Sequence, residues 1–175
     1  MAEKSLEQIV SGCKNGNSES FSELVDLYAK RCYSYFYRMT ARTDTSDELL
    51  SELFVKLVEN IGSYRGGSFD GWIFRVASNV FHDHLRAKQR QQKLLEGKSK
   101  QLETEPSETG KGNDERIDKL QIQVSKLDDD TRELIMLRYY SELSFKEIAE
   151  MRGEPIGTTL SKVHRGLQKL RELME

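Results

Sequence analysis

Residues 144–165 read SFKEIAEMRGEPIGTTLSKVHR, and this stretch decides the fold of the C-terminal part of the chain. Ser144 followed by Glu147 predicts a helix start, because each side chain can bond the other residue's backbone N–H group. Ala149 is small enough for two helices to cross, and Gly153 tolerates the positive φ of a tight turn. This spacing predicts a helix-turn-helix.

The second helix of this motif is predicted from about Thr158 to Glu172, and positions 158–171 hold no acidic residue. A structural helical hairpin would show the same Ala-to-Gly spacing, but a basic second helix favours DNA binding. Such a helix lies in the major groove with its N-terminal half toward the base edges. Its predicted DNA-facing residues are Thr158, Ser161, Lys162, His164, Arg165, Gln168 and Lys169.

The rest of the chain shows the same helical periodicity. Apolar residues recur three and four positions apart in four earlier segments, at 5–16, 18–40, 45–62 and 69–90, and again over 117–151. Capping pairs are predicted to open several of these helices: Ser5 with Gln8, Thr45 with Glu48, and Asp130 with Glu133. No stretch alternates convincingly with a period of two residues. The sequence therefore predicts an all-α fold.

A polar stretch divides the chain into two helical halves. Residues 97–116 hold a single large apolar side chain, Leu102, among Gly, Ser, Thr, Pro and acidic residues. Such a segment buries too little surface to offset its ordering entropy, so it is predicted to be a flexible linker. The predicted organisation is a helical bundle over 1–96, an acidic linker over 97–116 and a helix-turn-helix domain over 117–175.

Residues 127–173 resemble region 4 of bacterial sigma factors of the sigma-70 family. The matching positions are Leu127, Arg132, Leu134, Leu137, Arg138, Tyr139, Ser144, Phe145, Glu147, Ile148, Ala149, Glu150, Gly153, Pro155, Gly157 and Thr158. The chain departs from the family pattern at Arg152 and Glu154, which are usually apolar, and at Leu160 and Lys162, which are usually a basic residue and Arg. Because Lys cannot make the forked contact of Arg with guanine, these departures affect the preferred minus-thirty-five sequence.

Residues 18–90 resemble region 2 of the same family. The similarity rests on ELLSELF at 48–54, on FDGWIFRVASN at 69–79, and on Asp83, Leu85 and Arg86 beyond it. Both resemblances occur in the family's order and together cover about 120 of the 175 residues. A region 2 and a region 4 without a domain between them is the layout of the extracytoplasmic-function (ECF) group.

The resemblance implies a sigma factor, which makes the RNA polymerase core promoter-specific and assists opening of the duplex. The implied contacts with the clamp helices of the large polymerase subunit are Asp47, Glu48, Ser51, Glu52 and Lys56. The resemblance also implies a loop that receives a flipped base of the minus-ten element, and a helix beside it that contacts the same element. The implied residues of this loop and helix are Ser63, Tyr64, Arg65, Asn79, Asp83 and Arg86. The remaining implied partners are promoter DNA and an anti-sigma factor.

Enzyme and membrane classes find little support in the sequence. His82 and His84 are two positions apart on one helix and face different directions, so no metal site is predicted, and no phosphate loop or catalytic pair suggests a cofactor. No apolar run approaches the roughly 18 residues of a membrane span, and the start lacks a signal-peptide profile. We therefore expect a cytoplasmic protein without catalytic activity. Cys13 and Cys32 lie on apolar stripes and are predicted to be buried thiols.

Two other functions remain open at the level of sequence. A stand-alone helix-turn-helix regulator would bind duplex DNA without polymerase, but the region from Phe69 to Arg86 would then have no role. An interaction module that titrates polymerase or a regulator would not use the basic helix for DNA at all.

Overall fold

The computed structural model describes residues 3–97 and 115–175, with side chains from Lys119 onward in the second range. Every regular element within these ranges is helical, which confirms the all-α prediction. The helices are α1 (Leu6–Lys14), α2 (Ser18–Thr40), α3 (Thr43–Asn60), α4 (Phe69–Glu96), α5 (Glu115–Ser125), α6 (Asp129–Tyr139), α7 (Phe145–Arg152) and α8 (Ile156–Met174). The predicted linker falls almost wholly in residues 98–114, outside the described ranges.

Helices α1 to α4 form the N-terminal half. Large side chains from α2, α3 and α4 fill its core, with Phe36, Leu53 and Phe74 fully buried. Cys13 and Cys32 are free thiols inside this core, as predicted, and burial raises the pKa of Cys32 to about 12. No helix in the described ranges has the length and apolar content needed to cross a bilayer.

The helix starts follow the sequence signals in some places and not in others. Ser5 makes the predicted capping box with Gln8 at the start of α1. The Thr45–Glu48 box is wrong, since α3 already begins at Thr43 and its cap position makes no side-chain bond. The early start is possible because Asp44 in the first turn carries the charge that the helix N-terminus favours.

Helices α5 to α8 form the C-terminal half, and α7 and α8 are the predicted helix-turn-helix. Ser144 and Glu147 make the predicted capping box, and Gly153 ends α7 with a φ of 64°. The Asp130–Glu133 pair is not a capping box. Asp128 caps α6 instead, by accepting a hydrogen bond from the backbone N–H of Thr131.

Glu133 instead joins the two halves of the protein. Its side chain is 1% exposed and faces α2 and α4 of the N-terminal half. Tyr35 donates a hydrogen bond to its Oε1 at 2.7 Å, and Ser78 donates to the same atom at 2.5 Å. His82 lies with Nε2 2.8 Å from Oε2, and Arg152 of α7 lies 3.6 Å from that oxygen. One carboxylate of α6 thus contacts α2, α4 and α7.

Arginine side chains make further contacts between the two halves. Arg31 donates to the carbonyl of Ser141 at 2.5 Å, and Arg38 donates to the side-chain carbonyl of Gln121 at 2.9 Å. Arg132 of α6 reaches back and donates to the carbonyl of Met39 at 3.2 Å. The sequence left the relative placement of the halves open, and the structure packs them against one shared core.

The ionisation of the Glu133–His82 pair follows from this environment. Burial on its own would raise the pKa of Glu133, but the hydrogen bonds from its three partners outweigh burial and leave that pKa below its ordinary value. The hydrogen bond to Glu133 raises the pKa of His82, against an opposing effect of burial. A charged pair is therefore the favoured form in the folded protein.

We predict that this pair makes the stability of the fold depend on pH. A raised His82 pKa means that its stabilisation is complete below its ordinary value of about 6.5 and is lost as the pH rises through the folded value. A lowered Glu133 pKa means that its stabilisation is present above its ordinary value and is lost as the pH falls through the folded one. Both contributions are complete between the ordinary pKa of Glu133, 4.5, and the ordinary pKa of His82, 6.5.

The measurement is the thermal unfolding midpoint across that range. We expect the wild-type midpoint to fall as the pH rises past the His82 transition, and we expect His82→Gln to lack that fall. His84→Gln is the matched control, because burial lowers the pKa of His84 and that residue is not bonded to Glu133. An alkaline decline that persists in His82→Gln would contradict this assignment.

A second prediction concerns Gly166, where α8 crosses α6. A Cβ added there would lie 2.5 Å from Cγ2 of Thr131 and 3.1 Å from Cδ1 of Ile135, whereas a Cβ on Gly157 would meet nothing within 4 Å. Gly166→Ala should lower the free energy of unfolding by about 1–3 kcal/mol through overpacking. Gly157→Ala in the same helix should leave it unchanged or raise it by up to about 1 kcal/mol. Urea denaturation measures both, and equal effects would show that the crossing is not tight.

Candidate polymerase and nucleic-acid interfaces

The outer face of α3 carries the residues predicted to contact the polymerase core. Asp47, Glu48, Ser51 and Glu52 are exposed, while the opposite side of the helix buries Leu49, Leu53 and Leu57. Two apolar residues, Val55 and Val58, extend this face and are more than half exposed. Sequence reasoning missed them, because a broad apolar stripe does not show which of its edges is buried. The face is therefore acidic with an apolar end.

Lys56 connects this face to α4. Its Nζ lies 3.3 Å from Oε1 of Glu52 and 3.3 Å from Oδ2 of Asp83, and Asp83 also accepts a hydrogen bond from Arg86. The bond from Arg86 is the main cause that lowers the pKa of Asp83. The structure thus brings together Asp83 and Arg86 from the predicted minus-ten set and Lys56 and Glu52 from the predicted polymerase set.

The loop after α3 is shaped by hydrogen bonds from its own side chains. Tyr64 donates from Oη to the carbonyl of Gly67 at 2.6 Å, and Arg65 donates to the carbonyl of Gly62 at 2.7 Å. Gly67 has a φ of 84°, in the left-handed region that a side chain would strain. Ser63 donates to the carbonyl of Asn60 at 2.7 Å, where the chain leaves α3. The three predicted loop residues therefore fix the backbone of the loop through their own hydrogen bonds.

A cavity of about 760 Å³ lies between this loop and α1. Lys14 closes one side of it, since its Nζ donates to the carbonyl of Tyr64 at 2.6 Å and stands 5.4 Å from the ring centroid. Glu7 and Ser11 of α1 contribute polar groups to the wall. The cavity is large enough to admit a nucleobase. No motif in the sequence linked α1 to the loop, and fifty residues separate Lys14 from Tyr64.

Asn79 lies elsewhere, in a cleft of about 300 Å³ between the two halves. The cleft is lined from α4 by Asn79 and His82, and from the other half by Asp130 and Arg152. The structure therefore does not place Asn79 with the loop residues. In this packed arrangement, a strand bound at Asn79 would meet the C-terminal half.

Most of the α8 residues that are predicted to face DNA have exposed side chains. Six of the seven are exposed, namely Thr158, Ser161, His164, Arg165, Gln168 and Lys169. Lys162 is the exception, because its Nζ lies 2.8 Å from Oε2 of Glu154 and 3.8 Å from Oδ2 of Asp130. Six side chains therefore present a basic and polar surface, and the seventh is engaged within the domain.

The ion pairs at the turn also explain two departures from the family pattern. Glu154 accepts from Lys162 and, at 2.7 Å, from the hydroxyl of Thr159. Arg152 lies 3.6 Å from Glu154 and bonds Asp130. Burial opposes the ionisation of Glu154, but the bonds from Lys162 and Thr159 outweigh it and lower its pKa. Arg152 and Glu154 thus replace residues that are usually apolar in the family. Each of them pairs with a residue of opposite charge.

Two family models match the chain in the order expected from the sequence. The model described as Sigma-70 region 2 matches residues 24–91, and the model described as Sigma-70, region 4 matches residues 124–172. The first contains the α3 face, the loop and the part of α4 that is predicted to contact the minus-ten element. The second contains the helix-turn-helix and nearly all of α8.

Known proteins agree with these matches. The ECF RNA polymerase sigma factor SigW of Bacillus subtilis is 29% identical over 183 residues, which cover 98% of this chain and 96% of that protein. The ECF RNA polymerase sigma factor SigE of Mycolicibacterium smegmatis is 30% identical over 89% of this chain, and the match spans 62% of that longer protein.

A solved structure shares the fold. It is the sigma factor RpoE from Bartonella quintana in complex with the anti-sigma factor NepR, with a TM-score of 0.73, 22% identity, and coverage of 89% of this chain and 97% of that one. The ordered pair of family regions, the full-length similarity to SigW and the common fold agree with one another. This chain belongs to the sigma-70 family and, within it, to the ECF sigma factors.

Proposed function

We propose that this protein binds the RNA polymerase core enzyme and directs it to specific promoters, as an ECF sigma factor does. The observation that carries the proposal is the presence of both sigma regions on one chain, in order, each with its predicted contact surface exposed. The exposed acidic face of α3 supports core binding, and the exposed basic face of α8 supports DNA binding. The proposal requires no catalysis by this chain, and it locates the protein in the cytoplasm with the polymerase.

The proposal divides the work among three surfaces. The α3 face, Asp47, Glu48, Ser51, Glu52 and Lys56, contacts the clamp helices of the large polymerase subunit. The loop at 63–65 and its cavity receive a base that leaves the stack, while Asn79, Asp83 and Arg86 on α4 contact other parts of the minus-ten strand. The six exposed residues of α8, Thr158, Ser161, His164, Arg165, Gln168 and Lys169, read the minus-thirty-five element, while Lys162 stays paired with Glu154.

A stand-alone DNA-binding regulator explains less of the molecule. Such a protein needs α8, but it has no use for an acidic α3 face or for a preformed loop cavity. A module that only titrates polymerase needs α3, but it has no use for six exposed DNA-facing residues on one helix. The sigma-factor proposal gives all three surfaces a role. An anti-sigma partner is also proposed, because the similar RpoE was solved in complex with one.

Simultaneous binding of both promoter elements requires the two halves to separate. The elements are named for positions about 25 base pairs apart, which is ~85 Å along B-form DNA at ~3.4 Å per base pair. A compact chain of 175 residues has a radius of gyration of about 16 Å, and hence a diameter of only about 40 Å. The bonds to Glu133 therefore break when the protein binds its promoter with polymerase.

Transcription in a purified system tests the proposal. We expect the chain with polymerase core to start RNA synthesis at defined sites on genomic fragments. We expect Asp47→Lys to weaken core binding by at least about tenfold, since a basic side chain replaces an exposed acid of the proposed contact. Asp26→Lys makes the same exchange at an exposed position of α2 and should bind like wild type. Specific duplex binding without core, together with no core binding, would refute the proposal.

A further test concerns the separation of the halves. Glu133→Lys places a cation beside His82 and Arg152, so we expect the radius of gyration of the free chain to rise by several ångströms while its helix content is kept. Glu133→Gln keeps the size of the side chain and should open the structure less. Small-angle scattering and circular dichroism measure the two quantities, with exposed Glu172→Lys as the control. An unchanged radius in Glu133→Lys would mean that this carboxylate does not hold the halves together.

A further inference from the structure

Helix α8 presents two large apolar side chains to solvent near its start. Ile156 is 49% exposed and Leu160 is 42% exposed, and their spacing of four residues puts them on the same side of the helix. Apart from Met174 at the far end, which is also exposed, the other large apolar residues of α8 behave differently, since Val163 is buried and Leu167 packs against the core. The pair is therefore an apolar patch that the domain itself does not cover.

The patch lies beside the polar surface of the same helix. Ser161 and His164 are exposed close to Leu160 in the sequence, and the surface at Gly157 is open, because a Cβ there would meet nothing within 4 Å. The charged neighbour Lys162 turns away toward Glu154. The first two turns of α8 thus present apolar and small polar groups, and the freely exposed cations begin at Arg165.

This distribution of groups matches the chemistry of a DNA groove. The phosphates at the groove edge attract cations, whereas the floor of the major groove offers a single apolar group, the C5-methyl of thymine. An apolar side chain at the leading end of a helix that enters the major groove therefore has one natural partner. A basic residue at Leu160, as is usual in the family, would instead seek a phosphate or a guanine edge.

We propose that Ile156 and Leu160 read thymine methyl groups in the minus-thirty-five element, so that this protein prefers thymine at one or two positions there. The inference rests on the proposed function, because it takes α8 to lie in the major groove. DNA is favoured over a protein occupant because the patch is continuous with exposed Ser161, His164 and Arg165 on the same helix. A protein surface on this patch would have to cover those polar groups as well.

The experiment uses the holoenzyme formed from the full chain and polymerase core. A promoter library with a randomised minus-thirty-five segment first gives the preferred element. Each thymine of that element is then replaced by deoxyuridine, which lacks only the methyl group. We expect wild-type holoenzyme to bind about fourfold more weakly at one or two of these positions, because a buried methyl contributes ~0.8 kcal/mol.

The variants show which side chain reads the methyl group. Leu160→Ala should bind thymine and uracil equally at its own position while still discriminating at the position read by Ile156. Ile156→Ala should show the reverse. Leu94→Ala, which truncates an exposed leucine at the far end of α4, should keep both preferences and controls for loss of apolar surface in general.

The following outcomes would contradict the proposal that Ile156 and Leu160 read thymine methyl groups. Equal binding to thymine and uracil at every position by an active wild-type holoenzyme would refute the methyl reading while leaving the sigma function intact. A Leu160→Ala variant that weakens binding but keeps full discrimination would assign Leu160 a structural role. If only self-association of the chain changed in Leu160→Ala, as measured by light scattering, the patch would be a protein contact. Failure to initiate on any template would instead refute the proposed function itself.

Discussion

The buried carboxylate of Glu133 is the interaction on which the arrangement of the molecule depends. An ionised carboxylate removed from water is strongly destabilising unless hydrogen bonds replace its hydration. Tyr35, Ser78 and His82 supply those bonds, and they come from two helices of the opposite half. Because each bond requires a separation near 2.5–2.8 Å, the carboxylate fixes α6 against α2 and α4 far more narrowly than apolar packing alone would.

The hydrogen bonds to Glu133 can be exchanged for hydrogen bonds to water. A hydrogen-bonded charge pair that opens to water exchanges its protein partners for hydration, so its net contribution is much smaller than the strength of each bond suggests. An apolar interface of equal area would have no such compensation. Each half also keeps buried leucines of its own, such as Leu53 on one side and Leu134 on the other. Hydrogen bonds that water can replace suit a protein whose two DNA-binding surfaces are proposed to lie far apart on the promoter.

The sequence predicted the helices and the motifs well, because these depend on neighbours three or four positions away. Ser5 with Gln8 and Ser144 with Glu147 form the expected capping boxes. The capping box predicted for Asp130 and Glu133 is wrong, because a glutamate at this spacing can equally well accept hydrogen bonds from residues far away in the sequence. Nothing local shows that Glu133 bonds residues 51 to 98 positions earlier in the chain. For the same reason α1 was not foreseen as a wall of the loop cavity.

The departures at the helix-turn-helix show how such long-range pairing changes the meaning of a residue. Taken singly, a charged residue at position 152 or 154 weakens a turn that is usually apolar. Together with Asp130 and Lys162, these residues form a matched set of ion pairs across α6, the turn and α8. Lys162 is then occupied within the domain, which removes one cation from the leading end of α8 and leaves Leu160 and Ile156 as the large side chains exposed there. The ion pairs that stabilise the turn therefore also determine which chemical groups the recognition helix offers to DNA.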